Sequence, residues 1–546
     1  MNKPEKLFET KIAENVILGN NVKIVNPSNL YGCQIGNDCF IGPFVEIQKG
    51  AKIGNNTKIE SHSFVCELVT IGNNCFIGHG VMFINDTFSE LGRPAYVEKE
   101  YWKSTSIGNN VTIGSNATIL PVKICDNVVI GAGAVVTKNI DKSGVYAGVP
   151  AKFLKPLPKK AEKTNELNKK IEFVDLKRQL FGDLVLGTKG IKEEIDSAVS
   201  EIVKNTNFIM GSPLEEFEKK FAEFCGAKYC IGLNSGTDAL EFALRCNKIT
   251  SGNVITVPNS YFTTTSSITQ AGAIPKFVDI DKKTYNINIE QLEKAIDKDT
   301  KAIVVVHLYG RPAKMDAILN IARKYNLKVI EDCAHAPGAK FRGQRVPIGR
   351  TGCFSFFPGK NIGAWGDGGA LVTDEPEVAR LARLWRNDGS EKKYYHEIIG
   401  RKARLDSLQA GILSIKLNHL DKWNDLRRKH ARKYNELLSG IKEIQQLPLL
   451  ESEEAEPIFH IYNILVDKRD ELLDYLNKEG ICAGIHYPIP IHLQPAYMYL
   501  NLKEGSFPVA EEVAKKTLSL PMFPELREEE IMRTCESIKE FFREKN

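Results

Sequence analysis

Within the first 150 residues, an aliphatic or aromatic side chain recurs at every sixth position over long stretches. The series begins at residue 35 and has nine members before its first interruption: Ile35, Ile41, Ile47, Ile53, Ile59, Val65, Ile71, Ile77 and Phe83. It resumes in the same frame and, after the loss of one position near Pro121, continues to residue 136: Ile107, Ile113, Ile119, Ile124, Ile130 and Val136. A period of six is neither helical nor that of an alternating strand. It predicts a solenoid of triangular coils, each built from three hexapeptides, with the recurring residue pointing inward.

Glycine and asparagine follow many of the inward positions, as in Gly54-Asn55-Asn56 and Gly72-Asn73-Asn74. These residue types tolerate the backbone conformations of tight corners. Residues 84–106 interrupt the repeat with polar and aromatic residues. We expect this segment to form a loop that leaves the coil.

The pattern changes after residue 155. Residues 156–170 are rich in lysine and poor in large apolar side chains, which predicts a linker. From residue 171 onward, strand-like apolar runs such as 301–307 and 328–332 alternate with amphipathic stretches such as 313–326. This alternation predicts a parallel sheet covered by helices. We therefore expect two domains, 1–155 and 171–546.

Composition and charge narrow the function classes only by exclusion. The net charge of +5 on 546 residues gives no footprint for nucleic acid. No apolar run approaches the ~18 residues of a membrane span, and the N-terminus lacks the apolar segment of a signal peptide. Twelve cysteines without a CxxC pair indicate reduced thiols. We expect a cytoplasmic protein that binds neither nucleic acid nor membrane.

Four segments of the second domain contain residues that could bind a cofactor. Gly236 and Thr237 lie in a turn that opens a helix, whose free amides can bind a phosphate. Tyr261 offers an aromatic face, and Asp332 ends a strand, where α/β sheets bind ligands. Lys360 lies in a loop rich in glycine, proline and aromatic residues. Pyridoxal phosphate needs this set: a lysine for covalent attachment, a carboxylate for the ring nitrogen, an aromatic face and a phosphate cup.

The four segments, in this order, resemble the DegT/DnrJ/EryC1/StrS family of sugar aminotransferases over residues 171–546. The resemblance implies an α/β fold-type I domain, like that of aspartate aminotransferase, with a small C-terminal α+β subdomain. It implies that Lys360 binds the cofactor and moves the proton of the 1,3-shift. Asp332 would pair with the ring nitrogen, and His335 would lie over the ring.

The same resemblance assigns the remaining contacts. Tyr261 corresponds to the stacking aromatic residue, and Gly236, Thr237 and Ser355 correspond to phosphate contacts. Lys402 stands where relatives carry an asparagine that reaches the partner subunit's phosphate, and a cation still suits that role. Relatives that dehydrate sugars have histidine at the position of Lys360, so the lysine favours transamination. The family's usual amino donor is L-glutamate.

The first domain, over residues 12–155, resembles the left-handed parallel β-helix of hexapeptide-repeat acyltransferases. Its run HSFVCELVTIGNNCFIGHGVMFIND is similar to the subgroup that N-acetylates the 3-amino group of nucleotide-linked sugars. This likeness implies that Asn85 and Asp86 orient the sugar amine. His79 is either a general base or a structural histidine, and members of the subgroup are thought to work without a protein base. Zinc is not expected, since three histidines would be needed and only His62 and His79 are present.

The segments GAGAVVTKNI and YAGVPAK resemble the coenzyme A end of that subgroup. Gly131 and Gly133 would let the pantetheine of acetyl-CoA lie against backbone amides. Lys138 and Lys152 would meet its phosphates: either lysine alone is typical of a protein surface, but its place in these two motifs favours the phosphate role.

Together the two resemblances imply a bifunctional enzyme. The second domain would transaminate a dTDP- or UDP-linked 3-keto sugar, and the first would acetylate the new amine, for lipopolysaccharide or another surface polysaccharide. The alternatives are a transaminase whose β-helix serves only for oligomerisation, and a regulator that binds pyridoxal phosphate without catalysis. Trimeric β-helices and dimeric aminotransferases are compatible in a hexamer, a trimer of dimers.

Overall fold

The chain forms two compact units, Met1–Asn165 and Glu166–Asn546. The computed structural model describes residues 12–86, 99–157, 170–183 and 189–545. Most of the predicted linker lies outside the described residues, as does the interior of the interrupting loop, 87–98.

The first unit is a left-handed β-helix of short strands stacked into three sheets. All pairs are parallel except that of the last two strands. In spatial order, the strands of the first sheet are β1 Ile17–Leu18, β4 Gln34–Ile35, β7 Lys52–Ile53, β10 Val69–Ile71, β13 Thr105–Ile107 and β16 Lys123–Ile124. Those of the second sheet are β2 Lys23–Ile24, β5 Phe40–Ile41, β8 Lys58–Ile59, β11 Phe76–Ile77, β14 Thr112–Ile113, β17 Val128–Ile130, β19 Gly144–Ala147 and β20 Lys152–Lys155. Those of the third sheet are β18 Val135–Val136, β15 Thr118–Ile119, β12 Met82–Phe83, β9 Phe64–Val65, β6 Glu46–Ile47 and β3 Asn29–Leu30.

The period of six sets the register of the coils. Lys52 pairs with Thr70, one full coil of eighteen positions further on. Every inward residue predicted from the period is at most 4% exposed, so the expected fold is confirmed. After the dropped position the coil is one residue shorter, and Ser106 pairs with Lys123. The stack absorbs this deletion at a corner and keeps the inward row aligned.

One row of corners is held by a ladder of asparagine side chains. The Oδ1 of Asn55 accepts from the N–H of Asn37 at 2.8 Å, and the Oδ1 of Asn73 accepts from the N–H of Asn55 at 2.7 Å. Asp126 continues the ladder by accepting from Asn109 at 2.7 Å. The next residue in these corners has a positive φ, 53° at Asn56, which asparagine tolerates better than most side chains. Asn127, two residues after Cys125, has a φ of 58°, so this corner keeps the same geometry.

The second unit is built on a seven-stranded sheet with helices on it, as in fold-type I aminotransferases. Six of the strands run parallel to one another, and the seventh, Gly369–Thr373, is antiparallel to both of its neighbours. In spatial order the strands are β21 Tyr229–Leu233, β29 Gly369–Thr373, β28 Thr351–Ser355, β25 Lys328–Asp332, β24 Thr300–Val306, β22 Asn253–Thr256 and β23 Ile274–Phe277. The described helices are α1 Leu176–Phe181, α2 Lys192–Lys204, α3 Ser212–Cys225, α4 Gly236–Cys246, α5 Phe262–Ala271, α6 Ile289–Lys294, α7 Met315–Lys324, α8 Pro376–Trp385, α9 Ser407–Leu417, α10 Leu420–Leu438, α11 Arg469–Lys478, α12 Pro508–Lys516 and α13 Glu528–Lys545.

A small α+β subdomain follows the long helix α10. Its three-stranded antiparallel sheet has the order β32 Ile444–Gln446, β34 Tyr462–Val466 and β35 Thr517–Leu520. The remaining short strands are β26 Lys340–Phe341, β27 Gln344–Arg345, β30 Ser390–Lys392, β31 Tyr395–His396 and β33 Ala455–Glu456. Tyr434 of α10 stacks on Tyr462 with ring centroids 4.7 Å apart and ties the helix to this sheet. Among the described helices, none has the length and apolarity to cross a bilayer.

Candidate active sites

A cavity of about 540 Å³ opens at the carboxyl ends of the central strands of the second unit. Strands β24, β25 and β28 end at its wall with Val306, Asp332 and Ser355. The residues predicted for the cofactor that line it are Gly236, Thr237, Tyr261, Asp332, His335, Ser355 and Lys360. Segments more than 100 positions apart in the chain thus meet in one cavity. A larger groove of about 950 Å³, beside α1 and α10, contains none of them.

The N-terminus of α4 forms one end of the cavity. Its N-cap Ser235 accepts from the N–H of Asp238 at 3.1 Å, which leaves the amides of Gly236 and Thr237 without a helical acceptor. A Cβ at Gly236 would lie 2.8 Å from the Cβ of Ser355, so glycine is required for the close approach of α4 and β28. Free amides and a hydroxyl at a helix N-terminus suit a phosphate.

Asp332 is held by hydrogen bonds at the floor of the cavity. Its side chain is 6% exposed and accepts from Thr264 Oγ1 at 2.7 Å and from the N–H of Ala334 at 3.1 Å. Thr264 is itself 2.7 Å from the Ser260 hydroxyl. Burial raises the pKa of Asp332, whereas these donors lower it. A protonated ring nitrogen beside this carboxylate would favour its ionised form further.

Lys360 supplies the only lysine amine among the residues that line the cavity. Burial lowers the pKa of this amine to about 8, and the nearby carboxylate of Asp332 opposes the shift. A substantial fraction is therefore neutral near pH 8, as a nucleophilic amine must be. Together with the phosphate end and Asp332, the residues present fit pyridoxal phosphate.

His335 is buried as a neutral imidazole. Its Nδ1 accepts from the N–H of Tyr309 at 3.3 Å, and its Nε2 lies 3.3 Å from the hydroxyl of Tyr487. Burial and the nearby Lys360 amine hold its pKa well below the usual range. A neutral ring can pack against a flat cofactor without bringing a second positive charge beside Lys360.

Sequence reasoning missed several residues of this cavity. Thr264 follows Tyr261 by three positions and could have been found as the next turn of the same helix. His460, His486 and Tyr487 come from the small subdomain. They reach the cavity only because the subdomain packs against the large sheet, and no local sequence motif predicts that packing.

Lys402 does not line this cavity. It is exposed and its backbone pairs with Asn387. The sequence assigns it to a site on the partner subunit, and that assignment stays a prediction.

Asn85 and Asp86 lie on one edge of the β-helix, directly after strand β12. The Nδ2 of Asn85 donates to the carbonyl of Glu67 at 3.2 Å, and the carboxylate of Glu67 is 3.0 Å from Lys99 Nζ. Asp86 forms an isolated backbone bridge with Trp102. The two predicted sugar-binding residues are thus fixed where the interrupting loop leaves the coil.

His79 lies on a different edge, between strands β11 and β12. It is exposed, and its Nδ1 is 2.8 Å from the hydroxyl of Ser61. Within one chain the structure therefore does not bring His79 together with Asn85 and Asp86. His62, one coil away on the same edge, stacks on Phe44 with centroids 4.8 Å apart.

The predicted coenzyme A residues lie near the last coils. Gly133, with a φ of 67°, continues the edge that carries His79. A Cβ at Gly131 would lie 2.8 Å from the Cβ of Ala147, so this position requires glycine. Lys138 and Lys152 are both exposed and have freedom to meet an anion.

Among the described residues, one group has potential metal ligands close enough together to bind an ion: His307, Glu331 and Cys333. His307 Nε2 is 2.8 Å from Glu331, and its Nδ1 accepts from the N–H of Ala313 at 3.0 Å. Both ring nitrogens are therefore engaged, and the group is a buried structural contact.

A model of the DegT/DnrJ/EryC1/StrS aminotransferase family matches residues 189–539. The chain belongs to this family. In the first unit, a model of the bacterial transferase hexapeptide matches residues 32–67, and one of the hexapeptide repeat of succinyl-transferase matches residues 104–138.

Individual relatives match the second unit. A pleiotropic regulatory protein of Geobacillus stearothermophilus is 45% identical over 65% of this chain and 95% of its own length. A dTDP-3-amino-3,4,6-trideoxy-alpha-D-glucose transaminase of Streptomyces venezuelae is 39% identical over 66% of this chain and 95% of its own. The crystal structure of S. venezuelae DesV covers 68% of this chain and 98% of its own, with 38% identity and a TM-score of 0.65.

Proposed function

We propose that this protein catalyses two consecutive steps on a nucleotide-linked sugar. The second unit transaminates a dTDP- or UDP-linked 3-keto sugar with pyridoxal phosphate and L-glutamate. The first unit then transfers the acetyl group of acetyl-CoA to the new 3-amino group. The convergence of Lys360, Asp332 and the N-terminus of α4 in one cavity carries the first half of the proposal.

In the transaminase site each group has a separate task. Pyridoxal phosphate, when bound, supplies an electron sink for the carbon that loses its proton. Lys360 binds the cofactor and moves the proton between the two carbons of the 1,3-shift. Asp332, oriented by Thr264, keeps the ring nitrogen protonated. The free amides of Gly236 and Thr237 and the hydroxyl of Ser355 hold the phosphate.

In the acetyltransferase site the amine attacks the thioester carbonyl, the thiolate of coenzyme A leaves, and the amine loses one proton. Asn85 and Asp86 orient the amine, Gly131 and Gly133 admit the pantetheine, and two exposed lysines, Lys138 and Lys152, meet its phosphates. Whether His79 or a solvent base takes the proton stays an open alternative. Because His79 and Asn85 lie on different edges of one coil stack, a site that used both would need a neighbouring copy. The β-helix trimer within the proposed trimer of dimers would supply that copy.

The acetyl-transfer half is tested on the full-length protein with acetyl-CoA and a nucleotide-linked 3-amino sugar. We expect release of free thiol, followed by absorbance with a thiol reagent, only when the amino sugar is present. A protein that transaminates but releases no thiol with any 3-amino sugar would establish the alternative, in which the β-helix is an oligomerisation scaffold.

The name of the Geobacillus relative favours one further alternative, a regulator that binds pyridoxal phosphate without turnover. Formation of 2-oxoglutarate from L-glutamate separates the two. We expect one equivalent per loaded active site without sugar, and continued formation once a 3-keto sugar is added. In this proposal the enzyme acts in the cytoplasm, and its product supplies the synthesis of surface polysaccharide.

A further inference from the structure

A second histidine, His460, lies half-buried beside His335 in the cavity. It comes from the loop between β33 and β34 of the small subdomain, and the two imidazole centroids are 4.5 Å apart. Its position in the cavity wall places it near Lys360, whose charge contributes to the low pKa of His460. Neither the sequence motifs nor the roles proposed above account for it.

A chain of hydrogen bonds through Asn424 and Asn361 fixes which nitrogen of His460 carries the proton. Asn424 Nδ2 donates to the carbonyl of Pro337 at 3.0 Å, so the Oδ1 of Asn424 must be an acceptor. Asn361 Nδ2 donates to that oxygen at 3.0 Å, which leaves the Oδ1 of Asn361 facing His460 Nδ1 at 2.9 Å. An amide oxygen cannot donate, so Nδ1 of His460 carries the hydrogen.

The Nε2 of His460 therefore carries a lone pair. Among the described parts of the chain, no group forms a hydrogen bond with this atom, and it is not closed off from the cavity. His335 is held in the opposite tautomer, because its Nδ1 accepts from the N–H of Tyr309. Of the two neighbouring rings, His335 has its Nε2–H directed at Tyr487 and His460 has an acceptor without a partner.

Because this acceptor is open to the cavity, a molecule that enters the cavity can donate a hydrogen bond to it in place of solvent. Burial keeps His460 neutral by lowering its pKa well below the usual range. The ring is therefore a poor base and a constant hydrogen-bond acceptor. Asn361 follows Lys360 directly in the chain, so the same asparagine that orients His460 also fixes the loop of the lysine.

We propose that His460 binds the substrate, its Nε2 accepting a hydrogen bond from an amino or hydroxyl group of the molecule that enters the cavity. This role rests on the proposed transaminase function and adds a specificity contact to it. The donor is either the amino group of glutamate or a hydroxyl of the sugar. The two half-reactions distinguish these sources.

Two variants separate the two ring nitrogens. His460→Asn keeps a donor at the position of Nδ1 for Asn361 but removes the acceptor at Nε2. His460→Gln loses the donor to Asn361 and places an amide oxygen near the position of Nε2. We expect His460→Asn to lower kcat/KM by roughly 10- to 100-fold in one half-reaction, and His460→Gln to lose less. His419→Asn, outside the cavity, is the matched control.

The half-reactions are measured separately, with L-glutamate alone and with the keto sugar added to the aminated enzyme. A loss confined to the glutamate step would identify the amino group as the donor, and a loss confined to the sugar step would identify a hydroxyl. The reverse order, with His460→Asn active and His460→Gln impaired, would show that the ring serves only to hold Asn361 and would overturn the proposal.

The tautomer is tested without any turnover. Long-range proton–nitrogen NMR of the cofactor-free protein, with labelled histidine and the variant for assignment, should place the His460 proton on Nδ1. A proton on Nε2 would remove the acceptor and overturn the proposal. Failure of the proposed function would look different, since no keto sugar would then react with the wild-type protein while the tautomer remained as described.

Discussion

The two proposed sites differ in how completely one chain builds them. In the second unit the polar groups are buried and hydrogen-bonded to one another, as in the series Ser260, Thr264 and Asp332. In the first unit the corresponding residues stand on the outer edges of the coil stack, and His79 and Lys138 are exposed. A buried network fixes geometry and pKa values by itself. An edge residue acquires its surroundings only from a ligand or a neighbouring copy.

The difference follows from the two architectures. A solenoid buries its apolar row inside each coil and has no interior space for a ligand. A doubly covered parallel sheet leaves a cavity where its strands end, and loops and the small subdomain close it. We therefore expect single substitutions in the second unit to lower the rate of the chemical step strongly. Those in the first unit should act mainly on ligand binding at the surface.

The largest effect is expected for Lys360→Ala. The variant loses both the covalent anchor of the cofactor and the group that moves the proton, so transamination should fall by on the order of 10³-fold or more. The measurement is 2-oxoglutarate formation with keto sugar present. Acetylation of a supplied 3-amino sugar should stay at the wild-type rate, and a parallel loss of acetylation would contradict the independence of the two units.

Asn85→Ala is the counterpart in the first unit. Removal of the residue that orients the amine should lower acetyl transfer by roughly 100-fold, seen as slower thiol release. Transamination by the same variant is the internal control and should not change. If acetylation continued at the wild-type rate, Asn85 would have no part in the site.

The reactivity of Lys360 should depend on pH with a midpoint near 8. The pKa of the amine is lowered to about 8, and only the neutral amine attacks the cofactor aldehyde. Capture of pyridoxal phosphate by cofactor-free protein should therefore slow by about tenfold per pH unit below that midpoint and level off above it. Stopped-flow absorbance measures the rate. A rate that kept rising toward the ordinary lysine pKa of about 10.4 would mean that burial does not shift this group.

The smallest effect is expected for Thr264→Val, which removes the 2.7 Å hydrogen bond to Asp332 while keeping the shape of the side chain. The carboxylate loses a donor that favours its ionised form, so its pKa should rise and transamination should fall by about three- to tenfold. Thr269→Val, on the same helix but bonded to Tyr497 instead, is the matched control. Equal rates for the two variants would show that Thr264 does not act through Asp332.

The period of six was enough to predict the fold of the first unit, because every hexapeptide places one apolar residue inside the coil. All the inward residues it predicted are buried, including Ile124 beyond the dropped position. The separation of His79 from Asn85 follows from the same rule: one hexapeptide side lies between them, so they belong to neighbouring corners. Which corner of a neighbouring subunit lies beside them depends on how the subunits assemble, and the hexapeptide repeat does not predict it.

In the second unit, the predicted cofactor residues other than Lys402 share one cavity because each stands at a strand end or helix start that the parallel sheet brings together. Tyr487 and His460 escaped prediction because they reach the cavity from the small subdomain. The hydroxyl of Tyr487 lies 3.3 Å from Nε2 of His335, although the two residues are 152 positions apart in the chain. Contacts at such a separation depend on how the subdomain packs, which local patterns do not encode.

The central claim, two consecutive steps by one chain, is tested most directly by mass spectrometry of the products from a panel of dTDP- and UDP-linked 3-keto sugars. The full-length protein is supplied with pyridoxal phosphate, L-glutamate and acetyl-CoA. The account predicts that one sugar of the panel is converted to its 3-acetamido derivative, and that omission of acetyl-CoA leaves the 3-amino sugar. An amino sugar that stays unacetylated when acetyl-CoA is present would contradict it.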